Sequence, residues 1–143
     1  MSRPGVPAVG DRVVDAVVRG VRDDDIQAMA LVLRDPNPIH FDLAAVARAG
    51  LGDRAVNQGG STMAYVADHV VAWAGGRRAL RSIDCSFRGS VSAGDDVEVG
   101  AVVTSVEQVA DGAEVELEVW ADVVGGRRAI AGVARVVLAG ESA

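Results

Sequence analysis

The stretch "GGSTMAYVADHVVAWAGG", residues 59–76, decides the fold of this chain. It is bounded by glycines and is apolar almost all the way round, with one acid, Asp68, and one histidine, His69. A helix of that composition is expected to be buried inside a domain rather than laid on its surface. The stretch therefore predicts a long central helix.

Four strand-like segments follow from residue 79 onward: "ALRSIDCSFRGSV", "DDVEVGAVVTSVEQV", "AEVELEVWADVV" and "RRAIAGVARVVLA". The third segment alternates most clearly, because Val115, Leu117 and Val119 point one way while the glutamates between them point the other. Turn signals of hairpin length separate the segments. Four consecutive strands joined in this way predict an antiparallel sheet.

One strand and two shorter helices are predicted before the central helix. Residues 12–21 are rich in β-branched side chains and read as a strand, and the acids at 23–25 open a helix that must stop near Arg34. A short helix follows, with Asp42 as its N-cap. The order is typical of an α+β protein. A long apolar helix wrapped by an antiparallel sheet is the hotdog fold, which we predict for a single domain, residues 1–143.

Composition excludes several classes of function. The formal charge of −6 argues against nucleic-acid binding, and no apolar run approaches the ~18–20 residues that a membrane span needs. The chain contains no lysine, so Schiff-base chemistry through lysine is impossible. The N-terminus lacks the apolar stretch of a secretory signal, and the single cysteine, Cys85, suits a reducing compartment. We therefore expect a cytoplasmic protein.

The segment "LRDPNPIHFD", residues 33–42, holds the most informative chemistry. Two prolines stiffen the spacer between Asp35 and His40, so both side chains can be presented to one small volume. A carboxylate and an imidazole that face a shared water form a general acid–base pair able to add or remove that water. The structural alternative is that Asp35 caps a turn and His40 simply packs. Two ligands are too few for a metal site, and we expect none.

The segment "NQGGST", residues 57–62, opens the central helix. Glycines let a ligand approach the backbone, and the first free amides carry the positive end of the helix dipole. The amides of Gly59 and Gly60 are therefore candidates to stabilise a developing enolate oxygen. The structural alternative is that these glycines only allow close packing of the helix against the sheet.

These segments together resemble one known family. "RDPNPIH" resembles the G-D-x-N-P-I-H signature of the MaoC-like dehydratases and (R)-specific enoyl-CoA hydratases. "QGGSTM" is similar to the family's helix start, and "FRGSVSAGDDVEV" to its F-x-x-P-V-x-x-G-D strand and turn. The likeness extends from about Val9 to Leu138.

The resemblance implies a hotdog enzyme that reversibly hydrates trans-2-enoyl thioesters to (R)-3-hydroxyacyl thioesters. Asp35 and His40 would then hold and activate water, Asn37 would support their turn, and the Gly59 amide would be the oxyanion donor. No separate cofactor is implied, because coenzyme A or the phosphopantetheine of an acyl carrier protein is part of the substrate. The implied assembly is a homodimer, with a heterodimer of two hotdog chains as the alternative.

The chain departs from the family pattern in three places. Arg34 replaces the usual glycine, Gln58 replaces the usual histidine and is followed by a second glycine, Gly60, where a larger residue is common, and Ser90 replaces the usual proline. Gln58 and Ser90 motivate a second hypothesis, a partner subunit with little activity alone. Gln58, Ser61 and Arg88 are weaker candidates for substrate contacts.

The remaining polar residues of the central helix allow a third hypothesis. Asp68 could activate water in a hotdog thioesterase, although a structural hydrogen bond between buried polar groups accounts for Asp68 and His69 more simply. Met63, Tyr65 and Trp73 are predicted to line the core or an acyl tunnel.

Overall fold

A five-stranded antiparallel sheet forms the body of the protein, whose computed structural model describes residues 5–140. Its strands lie in the order β1-β3-β4-β5-β2. Their bounds are Arg12–Val18 (β1), Leu80–Phe87 (β2), Val97–Val109 (β3), Gly112–Val123 (β4) and Arg128–Ala139 (β5). The strands β1 and β2 are the two edges of the sheet.

Three helices accompany the sheet: α1 (Asp23–Val32), α2 (Leu43–Arg48) and α3 (Gly59–Ala74). The longest, α3, has 16 residues and contacts all five strands. An antiparallel sheet with a long helix against one face confirms the predicted α+β hotdog fold. No helix within residues 5–140 combines the length and apolarity that crossing a membrane requires.

The central helix is buried on one side only. Its residues Thr62, Val66, Val70 and Ala74 are buried, whereas Ala64, Asp68 and Ala72 on the opposite side are exposed. The expectation of a buried helix thus holds for the side that the sheet covers, and the opposite side is exposed in the single chain. The buried face repeats every four residues, which is the spacing of one side of a helix.

The alternating pattern of β4 behaves as predicted. Val115, Leu117 and Val119 have no exposed surface, and the glutamates between them are partly or fully exposed. Each such buried aliphatic side chain contributes about 1.5–3 kcal/mol to folding. The core thus lies between the inner face of the sheet and the buried side of α3.

The end of α1 sets the position of Asp35. The amide of Asp35 donates to the carbonyl of Ala30 at 2.9 Å. The amide of Arg34 donates to the carbonyl of Leu31 at 3.2 Å. These two bonds form a Schellman motif, whose turning residue adopts the left-handed conformation and is usually glycine. Arg34 fills that place with φ of 51°, the one positive φ of a non-glycine residue among those described.

The left-handed conformation of Arg34 predicts that Arg34→Gly stabilises the protein. A residue with a Cβ lowers the free energy of unfolding by about 1 kcal/mol in this conformation, because the Cβ crowds the backbone. Glycine has no Cβ and avoids this loss. We expect thermal unfolding to shift upward by about 3 °C, measured by calorimetry. Arg34→Ala is the matched control, because alanine removes the guanidinium but keeps the strained Cβ. An equal gain in both variants would trace the effect to the charge instead.

Candidate active site

A single turn of 3₁₀ helix, Pro38–His40, carries the candidate histidine. The side chain of Asn37 caps this turn by accepting a hydrogen bond from the amide of Ile39 at 3.3 Å. The side chain of His40 is only 6% exposed, and its Nδ1 lies 2.6 Å from the carbonyl oxygen of Val56. The turn therefore points the imidazole inward, and Asn37 supports the turn as its place in the motif implies.

The carboxylate of Asp35 approaches the other nitrogen of the same ring. Its Oδ2 lies 3.1 Å from His40 Nε2, and its Oδ1 accepts a hydrogen bond from the amide of Asn37 at 3.0 Å. The structure thus brings together the two groups that the sequence analysis paired, and their roles in catalysis stay a prediction. The side chain of Asp35 is 32% exposed, so this end of the pair is open to water.

The hydrogen bonds of His40 decide where its protons lie. A carbonyl oxygen can only accept, so the Nδ1 beside Val56 must carry a hydrogen. In a neutral ring the Nε2 then has a lone pair, which would face the lone pairs of the Asp35 carboxylate. The 3.1 Å separation of Nε2 and Oδ2 is an ion-pair distance when the ring is protonated. The carboxylate of Asp35 and the imidazole of His40 therefore lie within reach of direct interaction.

The start of α3 supplies free amides beside this pair. The carbonyl of Gln58 accepts the amides of Ser61 and Thr62 at 3.0 and 3.1 Å, whereas those of Gly59 and Gly60 donate to no group in residues 5–140. Gly59 lines the same cleft as His40, and Gly60 does not. Of the two candidate oxyanion donors, Gly59 is the one placed toward the imidazole.

The cleft that His40 and Gly59 share has a volume of about 280 Å³. Apolar residues form much of its wall, chiefly Ile39, Val56, Val91 and Ile130. Asp35 does not line it and reaches it through the ring of His40. Its shape suits a small apolar chain whose polar end meets the imidazole and the helix amide.

Among the cleft residues that the sequence analysis did not single out are Asn57, Thr62 and Phe87. The side-chain amide of Asn57 donates to Thr62 Oγ1 at 3.0 Å and to the hydroxyl of Tyr65 at 3.4 Å. The ring of Phe87 lies against Gly59, so that a Cβ on this glycine would be 2.9 Å from Phe87 Cε1. Asn57 and Phe87 are the first residues of two motifs already noted, but nothing in their spacing shows that they line the same cleft.

Tyr65 belongs to the polar network under the cleft. Burial raises the pKa of its phenol, an effect that the hydrogen bond from Asn57 partly offsets. The phenol is therefore protonated near neutral pH and keeps its hydrogen for donation. Tyr65, Met63 and Trp73 all pack against the core, as predicted.

The weaker candidates lie away from the cleft. Gln58 is buried and its Nε2 donates to the carbonyl of Ile26 at 2.8 Å, which ties α3 to α1. Ser61 is half-buried and does not line the cleft, and Arg88 lines a separate depression with Asp84 and Glu118. The predicted contacts of Gln58, Ser61 and Arg88 with substrate stay predictions. The positions of these residues outside the cleft do not favour them.

The second Asp–His pair of the chain is not arranged like the first. Asp68 is exposed, and His69 Nδ1 lies 2.6 Å from the carbonyl oxygen of Tyr65 within the same helix. Neither residue lines the cleft.

Cys85 is half-buried on β2, where burial raises the pKa of its thiol. Within the described part of the chain, no three acidic, histidine or cysteine side chains lie together as a metal site would require.

Comparison with known proteins places this geometry in a family. The family model described as "MaoC like domain" matches residues 6–124. No curated protein matches the sequence. The solved structure of the MaoC-like dehydratase from Rhodospirillum rubrum is 26% identical, with a TM-score of 0.78 and 96% of each chain covered.

Two further solved structures share the fold. The (R)-hydratase from A. caviae involved in PHA biosynthesis is 23% identical, with a TM-score of 0.79 over 92% of this chain and 97% of that one. The ChsH1–ChsH2 complex from Mycobacterium tuberculosis is 21% identical, with a TM-score of 0.74 over 92% of this chain and 98% of that one. The family model spans most of the chain, including Asp35, His40 and Gly59. The chain therefore belongs to the MaoC-like family of hotdog hydratases and dehydratases.

Proposed function

We propose that the protein catalyses the reversible hydration of trans-2-enoyl thioesters to (R)-3-hydroxyacyl thioesters. The observation that carries this proposal is that His40, joined to Asp35 at 3.1 Å, lines one apolar cleft with the unpaired amide of Gly59. A proton-transfer pair beside a hydrogen-bond donor is what the addition of water to a conjugated thioester needs.

The proposed reaction begins with a water held at the Asp35–His40 pair. The pair takes a proton from this water as the oxygen bonds to C3 of the enoyl group. Electrons move to the thioester oxygen, and the Gly59 amide stabilises the enolate at the positive end of α3. The pair then returns a proton to C2, on the face from which water came. The reverse sequence removes water.

The substrate handle is proposed to be coenzyme A or the phosphopantetheine of an acyl carrier protein, with no separate cofactor. We propose that the chain works as a dimer in the cytoplasm, either with a second copy or with another hotdog chain. The ChsH1–ChsH2 and HadBC complexes among its structural neighbours support pairing between hotdog chains.

The proposed role of Asp35 and His40 predicts a large loss of activity in Asp35→Asn and His40→Ala. We expect each rate of crotonyl-CoA hydration to fall by about 10²–10⁴, because proton transfer to and from water is lost. The double variant should lose little more than either single variant, since the two residues act as a unit. The measurement is the decrease in absorbance of the conjugated thioester.

The control is Asp68→Asn/His69→Ala, the same chemical change outside the cleft, which should keep activity within about threefold of wild type. Equal activity of wild type and the Asp35→Asn/His40→Ala variant would contradict the assignment. Wild type that is inactive alone but active after co-expression with another hotdog chain would establish the partner-subunit alternative.

The close contact between Gly59 and Phe87 predicts different outcomes at the two glycines. Gly59→Ala puts a Cβ 2.9 Å from the Phe87 ring, so the ring must shift inside the cleft. We expect kcat to fall by about tenfold or more through misplacement of the substrate. Gly60→Ala meets no atom within 4 Å and should keep kcat within about twofold. Equal losses in both variants would show that helix-start flexibility, and not the Phe87 contact, matters.

A further inference from the structure

A second and larger cleft, of about 500 Å³, lies at the far end of α3. It is lined by Arg77, Arg78 and Arg81 and by one acid, Asp111, from the turn between β3 and β4. All three arginines are exposed, and none forms an ion pair within 4.0 Å among the described residues. Three unpaired guanidinium groups thus share one cleft of a protein with a formal charge of −6.

Among residues 5–140, no carboxylate is paired with these three arginines. Cations stabilise a helix C-terminus when they bond its last carbonyls. Here the amide of Gly76 donates a hydrogen bond to the carbonyl of Val71 at 3.0 Å. Arg81 Nη1 donates to the carbonyl of Arg78 at 2.7 Å. Arg78 lies beyond α3, in the turn Arg77–Ala79. Arg77, Arg78 and the remaining donors of Arg81 can therefore bind an external anion, and phosphate suits such paired donors.

The arginine cleft and the catalytic cleft lie at opposite ends of the same elements. Helix α3 has 16 residues and is about 24 Å long, with Gly59 at its start and the arginines just past its end. Strand β2 runs back along it, from Leu80 beside the arginines to Phe87 beside Gly59. Within one chain the two clefts are therefore separated by the length of the helix.

A second copy removes this separation. β2 is an edge strand that pairs with β5 on one side, and within residues 5–140 no strand pairs with its other side, which is open to a further strand. When a strand pairs with its own copy about a two-fold axis, the two strands run antiparallel. Antiparallel pairing over the full length of β2 would place Leu80 of one copy beside Phe87 of the other. The arginines of each copy would meet the catalytic cleft of its partner.

We propose that Arg77, Arg78 and Arg81 of one copy bind the phosphate groups of the thioester handle whose acyl end occupies the catalytic cleft of a second copy. This inference rests on the proposed function and on its dimeric form. The ligand chemistry is a phosphorylated pantetheine, which coenzyme A and a carrier protein both present. Each catalytic site is then incomplete in a single chain.

The first test compares substrates with and without phosphate. In the variant Arg77→Gln/Arg78→Gln/Arg81→Gln, we expect the KM for crotonyl-CoA to rise at least about tenfold, because charge-assisted bonds to phosphate are lost. The KM for crotonyl-N-acetylcysteamine, which has no phosphate, should change by less than about twofold. Crotonyl-phosphopantetheine, with one phosphate, separates the contribution of the pantetheine phosphate from that of the nucleotide.

The charge-matched control is Arg19→Gln/Arg22→Gln/Arg48→Gln, three exposed arginines elsewhere on the surface. It should leave the KM for crotonyl-CoA within about twofold. The variant Arg77→Gln/Arg78→Gln keeps the hydrogen bond from Arg81 to the backbone carbonyl at position 78. A raised KM in this variant therefore cannot be caused by the loss of that bond. Equal effects of the arginine-cleft variant on both substrates, or none on crotonyl-CoA, would overturn the proposal.

The second test asks whether the arginines act on the other copy. The arginine-cleft variant and Asp35→Asn/His40→Ala are co-expressed with different tags, and hybrids are purified through both. In the hybrid, one site combines an intact Asp35–His40 pair with intact arginines from the partner. We expect that site to show the wild-type KM for crotonyl-CoA. A hybrid with the raised KM of the variant would overturn action between copies.

Binding of coenzyme A separates this inference from the proposed function. Calorimetry measures binding to wild type and to the arginine-cleft variant without turnover. Wild type that hydrates neither thioester would contradict the proposed function alone. An equal Kd for coenzyme A in both proteins would contradict the arginine site alone, and a Kd at least about tenfold weaker in the variant would support it.

Discussion

The hydrogen bond from His40 Nδ1 to the carbonyl of Val56 is the constraint on which the site depends. At 2.6 Å it decides which ring nitrogen carries hydrogen, and it turns Nε2 toward Asp35. Val56 also donates its own amide to the carbonyl of Ile39 at 3.0 Å. The turn that carries His40 is thus held by backbone as well as by side chain. A ring held in this way keeps one orientation relative to Asp35 and the cleft.

The segment around Val56 extends this constraint to the rest of the fold. The amide of Asn57 donates to the carbonyl of Val91 at 2.7 Å, and that of Ala93 to the carbonyl of Ala55 at 2.9 Å. The next residue, Gln58, is the N-cap of α3. One short extended segment therefore joins the histidine, the connection before β3 and the start of the helix. The position of the imidazole relative to the Gly59 amide is set by backbone hydrogen bonds, which hold a site rigidly.

Two departures from the family motif have structural explanations. Arg34 adopts the left-handed conformation that glycine usually takes in a Schellman motif, so the motif's glycine suits the turn that places Asp35. Gln58 is buried and bonds the carbonyl of Ile26, so the side chain at this position links α1 to α3. We find no such account for Ser90, which lines the cleft in place of the family's proline.

The sequence by itself determined the elements and the pairing of Asp35 with His40. Prolines, the Asp42 cap and the period-two pattern of β4 act over a few residues, and local rules read them directly. Only the tertiary structure decided that Phe87 packs on Gly59, that one side of α3 is exposed, and that Arg77 shares a cleft with Asp111. The residues of these contacts are about 30 positions apart in the chain. How the helix packs against the sheet decides them, and no local pattern encodes that packing.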